Sequence, residues 1–306
     1  MTGWGHRLAD WGYGAGWGLV GRLPDGLARS LFRTGADLAA RRPGAGTQQL
    51  RRNLARVVPQ ASTAELDELV RAALRSYARY WRETFRLPAM DKEAICRRID
   101  DVFVNKHMME EALDRGRGLV LALPHTGNWD ISGLWLASRF GTFTTVAERL
   151  RPESVFRRFA GYRESLGFEI LPASGGDVAP YRLLIERLRQ NRMVCLPADR
   201  DLSRRGVPVT FFGEQTRMPA GPARLAAMTG ATLLIVDQTF TEDGWGIGVH
   251  TPMTVHEREQ IPVVTQKMAD AFAADIAAKP EDWHMLQPLW ISDLPEQRQK
   301  VLAEAP

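Results

Sequence analysis

A histidine and an aspartate stand five positions apart at the end of an apolar run, and their types and spacing could support general-base catalysis. Residues 118–130 read GLVLALPHTGNWD, so the run ends at His125 and a carboxylate follows at Asp130. On a single helix the two side chains would point roughly 140° apart and could not meet. They can meet if His125 ends a strand and Asn128 caps a helix that carries Asp130. Pro124 favours that break, because it has no N–H for a strand ladder and its φ is fixed.

A carboxylate on one ring nitrogen of His125 would leave the other nitrogen as a proton acceptor near neutral pH. Residues 118–130 contain no serine or cysteine, so this base would have to activate a hydroxyl, an amine or water that arrives with a substrate. The alternative is a structural pair, in which Asp130 caps the helix and His125 is simply packed, since short motifs often arise by chance. The spacing alone leaves both interpretations open.

Short apolar runs alternate with helical segments along residues 118–278, and this alternation predicts the elements that position the pair. The predicted strands are 118–123, 142–146, 169–171, 193–196, 233–240 and 247–249, and the predicted helices are 132–140, 154–166, 178–190, 221–228 and 262–278. We therefore predict an α/β fold with a mixed, mostly parallel central sheet flanked by helices, and a helical N-terminal extension. In such a fold His125 lies at the carboxyl edge of the sheet, where ligands bind.

The beginning of the chain is basic and rich in tryptophan. Residues 1–60 hold nine arginines against three aspartates, an excess larger than the net charge of +4 of the whole chain. Apolar residues recur there at helical spacing: Trp4, Leu8, Trp11, Leu23, Leu27 and Leu31. The pattern predicts an amphipathic helical segment, residues 1–45, at an anionic membrane surface, followed by one α/β domain over residues 46–306. A helical hairpin packed on that domain explains the pattern equally well.

Composition and motif content argue against several other classes of protein. No apolar run approaches the length of a bilayer-spanning helix, and the N-terminus lacks the features of a signal peptide. The two cysteines, Cys96 and Cys195, give no disulfide framework, which fits a reducing compartment. Neither a metal-ligand pattern nor a nucleic-acid recognition motif is present. We therefore expect no metal, no cofactor and no nucleic-acid partner.

Several ordered blocks resemble the glycerolipid acyltransferase superfamily, whose signature is a histidine and an acidic residue separated by four positions. Further blocks resemble the branch that acylates lipid A: RRNLARVVP at residues 51–59, VCLPADRDLSRRGVPVTFFGEQTRMPAGPARLA at 194–226 and EDWHMLQPLW at 281–290. Within this branch the chain looks most like actinobacterial enzymes that acylate mannosylated phosphatidylinositol. The resemblance covers roughly residues 45–292.

The resemblance implies transfer of a long acyl chain, typically palmitoyl, from acyl-CoA as co-substrate to the 6-hydroxyl of a mannose on the lipid acceptor. It also implies peripheral association with the cytoplasmic face of the plasma membrane. In the implied mechanism His125 is the general base for the incoming hydroxyl, and Asp130 orients it. Backbone N–H groups near residues 126–128, or a nearby arginine, would offset the charge of the oxyanion.

Further polar residues are candidates for substrate binding, some of them by the same resemblance. The family's acidic residue after a later strand falls on Asp199, where relatives often carry the longer Glu. Glu148 and Arg163 match acceptor-side positions, and Arg149 and Arg200 could bind sugar or phosphate through their guanidinium groups. Structural alternatives are an ion-paired loop for Asp199 and a solvated helix start for Glu148 and Arg149. Arg200 could equally belong to a solvated charge run.

Other functions remain compatible with the sequence. The same base could serve a lysophospholipid, a different glycolipid or water as the acceptor. A basic, tryptophan-rich protein could instead bind anionic lipid without any catalysis.

Overall fold

The structure is a computed structural model that describes residues 16–149, 152–175, 179–201 and 203–303. A π-helical turn at Gly16–Val20 precedes the α-helices, which are α1 (Asp25–Arg41), α2 (Ala45–Val57), α3 (Thr63–Arg86), α4 (Lys92–Val102), α5 (His107–Asp114), α6 (Trp129–Phe140), α7 (Glu153–Glu164), α8 (Pro180–Arg189), α9 (Gly221–Thr229), α10 (Ile261–Ala278) and α11 (Glu296–Ala303). The strands are β1 (Leu119–Leu123), β2 (Phe143–Ala147), β3 (Phe168–Pro172), β4 (Met193–Pro197), β5 (Val207–Phe211), β6 (Glu214–Met218), β7 (Thr232–Phe240) and β8 (Trp245–Val249).

Six of the strands form one sheet in the order β3-β2-β4-β1-β7-β8. β1 is parallel to its neighbours β4 and β7, and β2 is parallel to β3 and β4. Only the edge strand β8 runs antiparallel, to β7. The predicted α/β fold with a mixed, mostly parallel sheet is therefore confirmed. Because β1 lies between two parallel strands, the residues that follow it emerge in the middle of the carboxyl edge.

Helices cover both faces of the sheet, and β1 contributes to both hydrophobic cores. Val120 and Ala122 belong to the core shared with α2, α9 and α10. Leu119, Leu121 and Leu123 belong to the core shared with α4, α5 and α6. Side chains alternate between the two faces of a strand, so a strand covered on both faces is apolar throughout. This is why the run LVLAL carries no polar residue and the histidine follows only after the strand has ended.

The helix α1 packs on the domain with one face. Its Ala28 and Ala36 are buried, and the helix contacts α3. Asp37 of α1 accepts two hydrogen bonds from Arg75 of α3, at 2.6 and 3.0 Å. A helix that packs on the domain is thus present at Asp25–Arg41, whereas residues 1–15 of the same predicted segment lie outside the described residues.

The opposite face of α1 is an apolar stripe that faces outward. Leu27, Leu31 and Leu38 are 56%, 56% and 54% exposed, and their spacing places them on one side of the helix. Within the described residues, no helix is long and apolar enough to cross a membrane. Trp4, Leu8 and Trp11, which the sequence analysis assigned to the same segment, lie outside the described residues.

A two-stranded hairpin of β5 and β6 was not predicted. Phe211 pairs with Glu214, and both residues of the turn between them have positive φ: Phe212 at 48° and Gly213 at 77°. Positive φ at both central positions is the signature of a type I′ turn, which usually contains Asn-Gly or Asp-Gly. The hairpin was not predicted because a phenylalanine occupies the first turn position, where Asn or Asp would have indicated the turn.

Candidate active site

The carboxylate partner of His125 comes from the neighbouring strand. Leu123 of β1 is in register with Pro197 of β4, so His125 and Asp199, each two residues beyond that pair, leave the sheet side by side. Nδ1 of His125 lies 2.6 Å from Oδ1 of Asp199. The backbone N–H of His125 donates to Oδ2 of the same carboxylate at 3.0 Å. Asp199 therefore holds both the ring and the main chain of His125.

Asp199 is a completely buried carboxylate. Burial by itself raises its pKa, but the attraction to His125 and the hydrogen bonds from His125 and Trp283 outweigh burial and hold the pKa below its ordinary value of 3.8. The indole Nε1–H of Trp283 donates to Oδ2 at 3.1 Å. The carboxylate thus stays ionised at neutral pH and fixed in direction.

The tautomer of His125 follows from this partner. An ionised carboxylate can only accept, so Nδ1 carries the proton of the 2.6 Å hydrogen bond, and Nε2 is an acceptor whenever the ring is neutral. Nε2 has no hydrogen-bond partner in the part of the chain that the structure describes. The side chain is 38% exposed and borders a large cavity. This arrangement can take a proton from a group that enters the cavity.

The structure corrects the expectation that Asp130 orients His125. Asp130 is fully buried. Its carboxylate accepts hydrogen bonds from Arg163 at 2.8 Å, Tyr80 at 3.1 Å and Thr84 at 3.3 Å. As the second residue of α6 it faces the neighbouring helices α3 and α7, whereas the imidazole meets a carboxylate from β4. The acidic residue of the motif therefore ties three helices together.

The predicted break between strand and helix is confirmed. Asn128 caps α6, because its side-chain oxygen accepts from the backbone N–H of Ile131 at 3.2 Å. The side-chain amide of Asn128 donates to Glu83 of α3 at 2.8 Å. Glu83 also accepts from the indole N–H of Trp245 at 2.9 Å and from Arg79 at 2.8 Å. The start of α6 is thus anchored to α3 through one buried carboxylate.

A segment near the end of the domain, residues 282–284, is bonded to the turn that carries His125, and we call it the C-terminal strap. The backbone N–H of Gly127 donates to the carbonyl of Asp282 at 3.0 Å, and the backbone N–H of His284 donates to the carbonyl of His125 at 2.8 Å. The strap also contains the tryptophan that donates to the buried carboxylate. The block EDWHMLQPLW therefore contributes by positioning the turn.

The strap is itself held by a buried polar network. The carboxylate of Asp282 accepts from the hydroxyl of Ser76 and from the backbone N–H of Phe240, both at 2.7 Å. Nε2 of His284 lies 3.0 Å from the same hydroxyl. Burial, and secondarily the charge of His125, lowers the pKa of His284 to about 3, so this ring is neutral. His284 is a structural residue, whereas the ring of His125 opens to the cavity.

The cavity beside His125 has a volume of about 570 Å³, within the range of ligand sites. It lies on the side of the sheet covered by α4, α6 and α7. Its walls are chiefly aromatic and aliphatic: Phe103, Leu121, Leu123, Trp129, Trp135, Phe143, Phe159, Phe168, Ile247 and Val249. Among the described residues there is no group of three or more His, Cys, Asp or Glu side chains that could hold a metal ion. The apolar walls of the cavity fit a long apolar group, and His125 is among the residues that line it.

The structure brings two of the other four predicted binding residues to this cavity. Glu148, which is exposed, and Arg163 both line it. Arg149 pairs instead with Glu153 at 2.8 Å on the surface. Arg200, next in sequence to the buried carboxylate, donates to a backbone carbonyl at 2.8 Å. Arg163 is largely committed to its buried carboxylate partner.

Three polar residues that help to build the site were not predicted from the sequence. Tyr80 and Glu83 point inward from α3, and Gln238 lines the cavity from β7. Tyr80 and Glu83 are three apart on one helical face, which is a signal that they share a neighbour. The signal for Gln238 is a large amide at a buried position of the apolar strand TLLIVDQTF.

Residues 5–292 match the family described as bacterial lipid A biosynthesis acyltransferase, and the chain belongs to this family. The fold, and a histidine beside an apolar cavity, agree with that class. A phosphatidylinositol mannoside acyltransferase from Mycolicibacterium smegmatis is 54% identical over 298 residues, which cover 97% of this chain and 96% of the relative. The protein of that name from Mycobacterium tuberculosis H37Rv is 53% identical over 297 residues, covering 97% and 93%. The resemblance inferred from the sequence blocks is thereby confirmed.

Proposed function

We propose that this protein transfers a long acyl chain, typically palmitoyl, from acyl-CoA to the 6-hydroxyl of a mannose on phosphatidylinositol mannoside. The names of its relatives support the acceptor, and membership of an acyltransferase family supports the reaction class. The observation that carries the proposal is the Nε2 atom of His125, which has no partner among the described residues and borders an apolar cavity.

The donor places its acyl chain in the cavity. Burial of each methylene group against the apolar walls contributes about 0.8 kcal/mol to binding. The thioester then lies at the polar end, within reach of His125. The hydrophilic part of CoA stays on the solvent side.

His125 acts as the general base in a direct transfer. The mannose oxygen attacks the thioester carbonyl carbon while its proton moves to Nε2 of His125, and Asp199 stabilises the imidazolium that forms. The tetrahedral oxyanion collapses with cleavage of the C–S bond, and His125 returns the proton to the CoA thiolate. A thioester is already activated, so the reaction requires no covalent acyl-enzyme.

Charged residues at the cavity and on the surface near it bind the two substrates. Glu148 accepts hydrogen bonds from sugar hydroxyls at the cavity entrance. Arg149 and Arg200 attract the phosphate of the lipid or of CoA, for which guanidinium groups are suited. Arg163 and Asp130 hold α6 and α7 at the distance that keeps the cavity open.

The protein works at a membrane surface. We propose that residues 1–45 lie at the cytoplasmic face of the plasma membrane and that residues 46–306 form the acyltransferase domain. The outward stripe of leucines on α1 supports this, because apolar side chains flanked by arginines suit the headgroup boundary of an anionic bilayer.

The test replaces His125 with Ala and follows acyl transfer by mass spectrometry, with palmitoyl-CoA and candidate glycolipids or lysophospholipids offered together. We expect kcat to fall by roughly 10²–10⁴-fold, the usual contribution of a general base. Binding of palmitoyl-CoA should stay near the wild-type level. The exposed His256 provides a matched control, and His256→Ala should retain full activity.

Activity of His125→Ala close to wild type would refute the proposed base. A wild-type protein that releases free fatty acid without acylating any lipid would identify a hydrolase. Acylation of a lipid other than phosphatidylinositol mannoside would refute the acceptor alone. Binding of anionic lipid with neither product would refute the enzymatic proposal.

A further inference from the structure

Gln238 is an amide buried without a partner beside the proposed base. It lies on β7 and is 1% exposed. Neither Nε2 nor Oε1 of its side chain has a hydrogen-bond partner among the described residues. The side chain lines the same cavity as His125. Burying an amide without a hydrogen bond is unfavourable, so this side chain favours a polar partner that enters the cavity.

The turn that carries His125 packs directly over the backbone of Gln238. Gly127 has a φ of +55°, and a Cβ at that position would lie 3.0 Å from both the carbonyl carbon and the carbonyl oxygen of Gln238. Only a glycine permits this approach without displacement of one of the two segments. Gln238 is thus held against the motif by main-chain contact.

The turn itself has few backbone donors left for a substrate. We expected the N–H groups of residues 126–128, or a nearby arginine, to offset the charge of an oxyanion. The N–H of Thr126 donates to the carbonyl of Pro124 at 2.9 Å, and that of Gly127 donates to Asp282 of the strap. Two of the three expected backbone donors are therefore already committed, and Arg163, which lines the cavity, donates to Asp130. Beyond the N–H of Asn128, a donor to the oxyanion has to come from another residue.

We propose that the side-chain Nε2–H group of Gln238 donates a hydrogen bond to the thioester carbonyl oxygen. This hydrogen bond becomes stronger as the oxygen gains negative charge and becomes the oxyanion. The inference deepens the proposed acyl transfer and rests on it. The acyl chain fills the apolar part of the cavity, and the carbonyl is its first polar group. A neutral amide suits this place, because it supplies a donor in a dry site without a charge that would have to be buried.

The proposed acyl transfer takes place in two steps, addition and elimination, which together conserve electrons and protons. Attack of the acceptor oxygen forms the C–O bond and moves the carbonyl π electrons onto the oxygen that Gln238 contacts, while the hydroxyl proton goes to His125. Return of those electrons breaks the C–S bond, and the proton passes from His125 to the thiolate. Gln238 neither gains nor loses a proton.

The test uses the full-length protein with Gln238→Met, which keeps the length of the side chain and removes both polar atoms. We expect kcat to fall roughly 10²–10³-fold, as when an oxyanion donor is lost, while KM for palmitoyl-CoA rises at most several-fold. The Tm should be unchanged or higher, because an unpaired buried amide has been removed. The matched control is Gln190→Met at an exposed position, where activity and Tm should not change.

Two thioether analogues of palmitoyl-CoA isolate the contact without the acceptor. S-(2-oxoheptadecyl)-CoA keeps a carbonyl, and S-hexadecyl-CoA has none. Gln238→Met should weaken binding of the ketone several-fold and leave binding of the plain thioether unchanged. Equal effects on both analogues, or a kcat close to wild type, would overturn the inference for Gln238. A kcat loss accompanied by a lower Tm and unchanged ketone binding would show a packing role and overturn it as well.

Failure of the proposed function has a separate signature. If the wild-type protein binds neither analogue and makes no acylated lipid, the acyl-CoA donor is wrong and the inference falls with it. If the wild-type protein is active and Gln238→Met is equally active, the acyl transfer stands and the oxyanion contact is wrong.

Discussion

In the proposed mechanism, protonation of His125 beside Asp199 sets the pH dependence of the reaction. Burial by itself lowers the pKa of His125, but the attraction and hydrogen bond of Asp199 outweigh burial and raise it above its ordinary value of 6.5. The base works only when unprotonated, so kcat/KM should fall as the pH drops through that raised pKa. Asp199→Asn removes the attraction of the carboxylate for the imidazolium but leaves His125 buried, so the pKa of His125 should fall. The midpoint of the acid limb of the kcat/KM profile should therefore lie at a lower pH than in wild type, and the maximal kcat/KM should drop. Profiles of kcat/KM against pH for both proteins measure this shift, and coincident midpoints would contradict the assigned partner.

Asp130 should act on stability, because its carboxylate contacts Arg163 at 2.8 Å. Asp130→Asn leaves that guanidinium without its buried counter-charge and should destabilise the fold by about 3 kcal/mol, measured by urea denaturation. The midpoint of the acid limb should stay close to wild type. A shift as large as that of Asp199→Asn would instead assign Asp130 to the base.

At the scale of the element, the tight turn between β1 and α6 depends on Gly127. A Cβ there would meet the backbone of Gln238 at 3.0 Å, in addition to the roughly 1 kcal/mol that a left-handed conformation costs an alanine. Gly127→Ala should therefore lower both the free energy of unfolding and kcat, since the displaced turn carries His125.

Gly116 is the matched control for that turn. It has a φ of +71°, and a Cβ there would meet nothing within 4 Å. Gly116→Ala should lower stability by about 1 kcal/mol and leave kcat unchanged, as judged by thermal denaturation and steady-state kinetics. Equal behaviour of the two variants would mean that the contact with Gln238 has no effect on the site.

The strand that ends before His125 and the cap at Asn128 were predictable, because apolar runs, proline and asparagine act through local chemistry. That Asp199, and not Asp130, contacts His125 could not be predicted. The contact depends on the register of β1 with β4, and the sequence of neither strand specifies which strand pairs with it. Asp130 is near His125 in sequence but turned away by its position on α6. Gln238 could not be predicted as a site residue, because the cavity that it lines is formed by segments far apart in the sequence.

At the scale of the whole molecule, the outer face of α1 should control membrane association. Each leucine that enters the apolar part of a bilayer contributes about 2 kcal/mol. Replacing Leu27, Leu31 and Leu38 together with Ser should reduce binding to anionic vesicles at least about tenfold, measured by flotation. The fold should survive, because these side chains are exposed.

The control for α1 replaces three exposed apolar residues elsewhere with Ser: Met228, Val263 and Val301. This variant should float with the vesicles as the wild-type protein does. An unchanged distribution of the α1 variant would refute a membrane role for the leucine stripe, and equal losses in both variants would show that the binding is not specific to α1.

The C-terminal strap has a consequence for the order in which this protein folds. Asp199 lies 74 positions after His125, and Trp283 lies 84 positions after Asp199, so the site is complete only when two long loops have closed. Helices such as α3 need only local contacts and form much earlier. A refolding chain therefore regains its helical content before the base has its carboxylate, and enzymatic activity is the last property to return.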